Sequence, residues 1–301
     1  MSETKIDVFG LGQCSLDYIG KIDAYPLPDT KGEISDMVIQ GGGPVATALV
    51  ALARWGRSCY FSGLIGDDPF GRQIEASLRI EGVNTKGLVV RRGASSQFAF
   101  IVAEPDTARR TVFWQRPTAE PIKPAEVDID MIGRSRVLHT DGLFIEAALH
   151  AAHAAKKIGI PVVVDAGTLR EGMLDLAGLA DFFIVSETFS RALAGADDPH
   201  GACRRLIDLG PSAVCVTLGA KGYVAMFGGR SFEKPAYPVK AVDTTGCGDI
   251  FHAGFIYGLL GNWGIARCFD IGAWAASRVS MQMGGRSGIP SLSDLKAGGY
   301  R

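Results

Sequence analysis

The sequence predicts an α/β fold: a largely parallel sheet covered by helices on both sides, with a second, smaller β-sheet beside it. Short β-branched runs alternate with longer stretches of helical period along most of the 301 residues. Several of those runs are apolar on both faces, as strands buried between two layers must be. Two turn-rich interruptions with period-2 patterning break the alternation. The candidate strands are 6–12 (IDVFGLG), 59–66 (CYFSGLIG), 136–142 (RVLHTDG), 161–167 (PVVVDAG), 181–186 (DFFIVS) and 213–219 (AVCVTLG). Helical period marks 44–55, 69–81, 145–158, 187–195, 200–209, 248–260 and 264–280. The first of these opens on Pro44 and stops at Gly56, the usual asymmetry of helix ends. Strand–helix alternation on this scale implies right-handed parallel crossovers. The interruptions are residues 13–40 and 95–116, the latter a β-hairpin with its turn in EPDTAR. They divide the chain into a core of 1–12, 41–94 and 117–301 and a small β-sheet of 13–40 and 95–116 standing off it, either a lid over the ligand site or an oligomer contact.

Composition narrows the function. With 31 Lys+Arg against 32 Asp+Glu the chain carries a formal charge of −1, which excludes the basic surface a nucleic-acid binder needs. A small molecule is the expected ligand. No apolar run reaches the roughly 18 residues of a membrane helix, and the N-terminal MSETKIDVFG has no secretory pattern. The 6 cysteines are scattered without a C-x-x-C pair, which points to a reducing, cytoplasmic compartment. Cys59 and Cys215 lie in apolar runs and read as buried small hydrophobes.

The chemistry is concentrated in Val242-Asp243-Thr244-Thr245-Gly246-Cys247-Gly248-Asp249-Ile250-Phe251-His252-Ala253-Gly254. This segment joins an extended stretch to a helix. Gly246 and Gly248 let the backbone aim its N–H groups at one point at the helix N-terminus, where unpaired amides and the helix dipole bind anions. A carboxylate on the same turn, Asp249, makes sense if it accepts a proton from an attacking hydroxyl while the amides stabilise a phosphoryl group. The bland alternative is a helix cap with glycines that merely turn the chain. Gly10-Leu11-Gly12-Gln13-Cys14-Ser15 lacks the third glycine and the following helix of a dinucleotide site, and no P-loop motif occurs. His150 and His153 sit in an Ala-rich helix and read as solvated or packed positions. For His252, one turn beyond Asp249, packing and a reach into the site are both open.

The string D-T-T-G-C-G-D-x-F closely resembles the signature of the ribokinase/PfkB family of carbohydrate kinases. The resemblance implies a ribokinase-like three-layer sandwich with a β-sheet lid, Asp249 as catalytic base and the amides of Gly246, Cys247 and Gly248 as anion hole. Cys247 stands where the family usually has Ala; as a thiol at a helix N-terminus it is a candidate for oxidation. The resemblance extends over nearly the whole chain. Gly41-Gly42-Gly43-Pro44-Val45-Ala46-Thr47 looks like the family's glycine motif, which implies sugar binding at Gly42, Gly43 and Thr47, the last replacing a usual Asn. Gln13-Cys14-Ser15-Leu16-Asp17 is similar to its first strand–loop, which implies that Asp17 accepts substrate hydroxyls. Thr217-Leu218-Gly219-Ala220-Lys221-Gly222 is similar to its nucleotide loop, with Thr217, Gly219, Gly222 and Ser186 on the nucleotide side. Gly284-Gly285-Arg286-Ser287-Gly288-Ile289-Pro290 resembles its C-terminal loop, which brings Gly285 to the nucleotide and, through the backbone of Asp243 and Thr245, implies a monovalent cation such as K+. One departure concerns metal: the family's N-x-x-E reads Ser186-Glu187-Thr188-Phe189 here, so Glu187 or Asp165 is left to hold magnesium through water.

The expected activity is transfer of the γ-phosphate of ATP, with Mg2+, to a hydroxyl of a small sugar. The alternatives are a nucleoside kinase of the same fold and a non-catalytic sugar or nucleotide sensor. The Ser95-Ser96-Gln97 triplet and G-G-R-x-G-I-P resemble the branch containing sulfofructose kinase, which adds an acidic or sulfo-sugar to the fructose- or ribose-like candidates. Gln97, Lys31, Arg109, Arg110 and Arg116 fall in the lid segments, where cations would pair an anionic acceptor or simply be solvated. Exposed apolar lid residues such as Val38, Ile39 and Phe100 favour a homodimer through the lid.

Overall fold

A computed structural model describes residues 5–104, 109–195 and 198–300. In chain order its strands are β1 (Ile6–Leu11), β2 (Ser15–Lys21), β3 (Asp36–Gly42), β4 (Cys59–Gly66), β5 (Asn84–Arg91), β6 (Phe98–Glu104), β7 (Arg109–Gln115), β8 (Ser135–Thr140), β9 (Val162–Ala166), β10 (Phe182–Ser186), β11 (Ala213–Thr217), β12 (Tyr223–Phe227) and β13 (Arg230–Lys234). The α-helices are α1 (Pro44–Arg54), α2 (Pro69–Ile80), α3 (Ile129–Gly133), α4 (Ile145–Lys157), α5 (Met173–Leu179), α6 (Glu187–Ala194), α7 (Pro199–Ile207), α8 (Cys247–Leu260), α9 (Ile265–Val279) and α10 (Leu292–Ala297).

A 9-stranded sheet runs β13-β12-β11-β10-β9-β8-β1-β4-β5. It is parallel from β11 to β5 and antiparallel only at β12 and β13. Alternate side chains of each strand enter different cores. Val8, Val137, Val163, Ile184 and Cys215 pack with α1, α8 and α9. Phe9, Leu138, Val164, Phe183 and Val214 pack with α4, α5 and α7 on the other face. Helices on both faces explain why these strands read as continuous apolar runs. Cys59 and Cys215 are among the buried thiols, as their sequence context implies.

The chain leaves β1 toward β4 and β5 on one side, then returns to β8 on the other, so strand order reverses between β1 and β8. Ligands of open α/β sheets bind outside the carboxyl ends of the strands at such a reversal. Asp141, just past β8, bridges that crevice: its Oδ2 accepts the amide of Gln13, 2.8 Å away, just past β1.

The interruptions form a second, 4-stranded sheet ordered β3-β2-β6-β7. β2 pairs antiparallel with β3 and parallel with β6, and β6 and β7 form the expected hairpin. The hairpin's turn at 105–108 and the side chain of Arg109 lie outside the described residues. Among the described residues no helix is long and apolar enough to cross a membrane.

Candidate active site

The first turn of α8 is built around Gly246, which caps it in a left-handed conformation (φ 75°) with no side-chain acceptor on the helix amides. A side chain at 246 is sterically barred, because a Cβ would lie 2.5 Å from Gly285 Cα. A Cβ on Gly248 would meet no atom within 4 Å, so the helix end opens to free space there. Asp243 holds the turn in place. Its buried carboxylate accepts from Thr245 N (2.8 Å) and Thr245 Oγ1 (2.7 Å) through one oxygen, and from Gly284 N (2.8 Å) through the other. The Asp243, Thr245, Gly246 and Gly285 positions are thereby gathered into one two-loop structure.

Asp249 is half-buried in the first turn of α8. Burial raises its carboxyl pKa well above the usual carboxylate range; the neighbouring charge of Asp165 adds to the rise, while His252 and Arg110 oppose it. Asp165, at the end of β9, is raised in the same direction by burial. Cys247 is half-buried, unlike the other five cysteines, and desolvation pushes its thiol up to about 12, against the thiolate character that a helix terminus favours. From the lid, Arg110 Nη1 donates to Thr244 Oγ1 at 2.6 Å, so a cation of β7 rests on the amide turn.

Asp17, Gly42 and Gly43 converge where β2 and β3 join the core. Asp17 is 7% exposed and accepts from Ser15 Oγ at 2.6 Å; burial raises its carboxyl pKa, tempered by that bond and by the charge of Arg286. A Cβ on Gly42 would strike Asp17 Oδ2, and one on Gly43 (φ 97°) would strike the Gln13 carbonyl. Thr47 is buried in the first turn of α1, its amide bonded to the Gly43 carbonyl at 2.9 Å. Gln97 is half-buried before β6 and accepts the Leu16 amide through its carbonyl at 3.1 Å. Lys31 is exposed in the β2–β3 loop.

On the other side of Asp165, the ends of β10 and β11 carry the remaining candidates. Ser186 caps α6, accepting Phe189 N at 3.1 Å and donating to the Gly167 carbonyl at 2.7 Å. Thr217 Oγ1 donates to the Val185 carbonyl at 3.3 Å. Gly219 and Gly222 turn the chain with φ of 59° and 96°. Glu187 is engaged by two cations, Arg191 at 3.0 Å and Lys221 at 3.4 Å. No group of three or more His, Cys, Asp or Glu side chains suited to a metal occurs among the described residues.

Two buried groups were not singled out as site residues by the sequence. Burial pushes Asp141 up to about 7, and its carboxylate takes both Gln13 N and Leu143 N. Its signal was a carboxylate ending the central strand HTDG. His139 stacks on His252 with centroids 5.7 Å apart, and burial pushes His139 down to about 3.

Residues 5–292 match the model of the pfkB family of carbohydrate kinases. Fructokinase-1 of Oryza sativa subsp. japonica is 31% identical over 265 residues, 81% of this chain and 80% of that protein. The chain belongs to the pfkB family of carbohydrate kinases. It is therefore an ATP-dependent sugar kinase, a phosphotransferase with an alcohol group as acceptor. The fold agrees with solved ribokinase-like structures. The Arabidopsis thaliana ribokinase complexed with ribose and ATP superposes with a TM-score of 0.83 at 21% identity, covering 98% of each chain. An E. coli protein described as ribokinase II, in complex with ATP and Mg2+, gives a TM-score of 0.84 at 20% identity over 97% of this pfkB chain and 98% of its own.

Proposed function

We propose that this kinase phosphorylates a fructose-like sugar, with Asp249 taking the proton of the acceptor hydroxyl and the Gly246, Cys247 and Gly248 amides holding the migrating phosphoryl. The observation that carries this reading is the end of α8: amides with no side-chain cap, free space in front of Gly248 and a carboxylate of raised proton affinity in the same turn. Such donors stabilise charge that develops in transfer, and the carboxylate removes the proton that the attacking oxygen must lose.

Asp17, Gly42, Gly43, Thr47 and Gln97 bind the acceptor in this scheme, at the base of the lid. Lys31 contributes at most from the lid loop. Thr217, Gly219, Gly222, Ser186 and Gly285 line the nucleotide side. Magnesium would neutralise charge on the ATP phosphates, and one or two protein carboxylates acting through water would suffice to hold it. Asp165, whose carboxylate is 12% exposed beside Asp249, fits that need better than Glu187, which already neutralises two cations. For K+, both oxygens of the Asp243 carboxylate already accept hydrogen bonds, which favours the main-chain carbonyls of Asp243 and Thr245 as ligands. Thiols that are all free support work in the cytoplasm.

Release of ADP from ATP, followed across fructose, ribose, other neutral sugars, sulfo- and phosphosugars and nucleosides, tests the acceptor. Fructose-like sugars should turn over best. Turnover confined to anionic sugars, or to nucleosides, overturns the proposed acceptor.

We also propose a homodimer through the lid. Strand register puts Ile39, Tyr18, Phe100 and Phe113 in one row on one face, and Ile39 and Phe113 are 47% and 56% exposed on the two edge strands. Pairing two lids covers these edges and apolar side chains. The solution mass should be twice 31.9 kDa, and a monomer mass at micromolar concentration rejects it.

A further inference from the structure

α8 is apolar around most of its circumference, yet it carries a histidine at position 252 that is only 3% exposed. A leucine or phenylalanine would fill the same space at no desolvation cost, whereas a buried imidazole must be hydrogen-bonded to be tolerated. The contacts of His252 are directional. Its Nδ1 lies 2.8 Å from the Gly248 carbonyl and 3.3 Å from Asp165 Oδ2. Both partners are acceptors, so Nδ1 is the nitrogen that carries the proton. The ring is held from behind by His139, stacked at 5.7 Å and itself bonded through Nδ1 to the Val163 carbonyl at 3.1 Å.

We propose that His252 is a positioning residue for phosphoryl transfer, fixing the Gly248–Asp249 peptide and the Asp165 carboxylate relative to one another. The reasoning rests on the planarity of the peptide unit. The carbonyl of Gly248 and the amide of Asp249 belong to the same rigid plane and point in opposite directions. Helix geometry points that carbonyl along α8 and the Asp249 N–H outward past the helix end, and the ring, as a second donor on the carbonyl, stiffens the plane in that orientation. The same clamp sets the Cα from which the Asp249 carboxylate departs. The second contact holds Asp165 on β9 in register with this turn, so strand and helix present their groups as one rigid unit. His252 touches neither reactant; it acts through Gly248, Asp249 and Asp165.

This inference depends on the assignment of Asp249 and its turn as the transfer centre, and the experiment separates the two. Steady-state kinetics on the full chain, with the best sugar and ATP, compare His252→Asn, His252→Gln, His252→Leu and Asp249→Asn. An Asn amide can occupy the place of Nδ1; a Gln amide reaches the place of Nε2 and abandons it. Loss of alignment at a reacting centre lowers turnover by about 100-fold. His252→Gln and His252→Leu should therefore lose about that factor in kcat while KM for both substrates stays within about threefold. His252→Asn should stay within about threefold of the parent in kcat. Should the Leu variant fail to fold, the Asn and Gln pair, both polar and close in size, carries the comparison. Equal kcat for the Asn and Gln variants, or a loss confined to KM, rejects the positioning role while Asp249→Asn remains inactive. An active Asp249→Asn variant instead rejects the transfer centre itself.

Discussion

Replacing Asp249 with Asn should yield a folded, nucleotide-binding protein whose kcat is about 10²- to 10⁴-fold lower, the range that a general base contributes. Asn preserves the size of the side chain and its place in the first turn of α8, so fold and ATP affinity should survive. What it cannot do is accept the hydroxyl proton. The pH profile of the parent enzyme gives a second measure of the same group. The ionised carboxylate is the active form, so kcat/KM is present at high pH and lost as pH falls through the carboxyl pKa. Burial and the Asp165 charge raise that pKa, so the inflection should sit well above the value near 4 of an ordinary carboxylate. A flat profile, or one that breaks only near pH 4, removes Asp249 from the role; so does an Asn variant with parental turnover.

The second large effect is expected at Gly246. An alanine there must hold φ near 75° and bring its Cβ to 2.5 Å of Gly285 Cα, backbone against backbone. Strain of about 1–3 kcal/mol is the expected cost, visible as a melting point several degrees lower. Because relief comes only by separating the turn from the 284–288 loop, kcat should fall by about 100-fold as well. Gly248→Ala makes the contrast. It meets no atom within 4 Å and adds helix propensity, so stability should be kept or rise by up to about 1 kcal/mol. Its methyl nevertheless occupies the space assigned to the phosphoryl group, and turnover should drop. Calorimetry and kinetics on the two variants separate a glycine required by the fold from one required by the ligand. Equal melting points for both would show that the 246–285 contact yields easily.

The six central strands and seven helices inferred from periodicity match the structure to within two residues at every end, because two-sided burial leaves long apolar runs with clear stops. Three strands escaped notice. β5, NTKGLVVR, lies at the sheet edge and is half polar. β12 and β13 form a hairpin whose Gly228-Gly229 turn has both φ values positive, 57° and 72°. That glycine pair between alternating residues was a usable signal. α3, α5 and α10, of 5, 7 and 6 residues, are too short for their period to stand out.

Within the candidate site, the 243–249 turn was legible because glycines and a carboxylate at a helix start are local features. Arg110 on Thr244, Asp141 across to Gln13 and His252 beside Asp165 were not, since each joins segments far apart in sequence. Such pairs depend on strand order, which local patterns do not encode. Glu187 shows the reverse: its place after β10 suggested a metal role, but its neighbours Arg191 and Lys221 give it another occupation.

The parallel pairing of β2 with β6 joins segments far apart in the chain, and an order of assembly should follow from it. Leu16 lies against Phe98, and between them the chain completes β3, α1, β4, α2 and β5. Neither the β2–β3 pair nor the β6–β7 pair is a stable sheet alone, so they join only after the intervening βαβ unit has docked and brought their ends together. The lid, which has a small apolar core of its own in Ile19, Ala99, Ile101 and Ala103, should thus fold late. Under native conditions it should open as a unit well before the nine-stranded sheet does, and its amides should take up deuterium first.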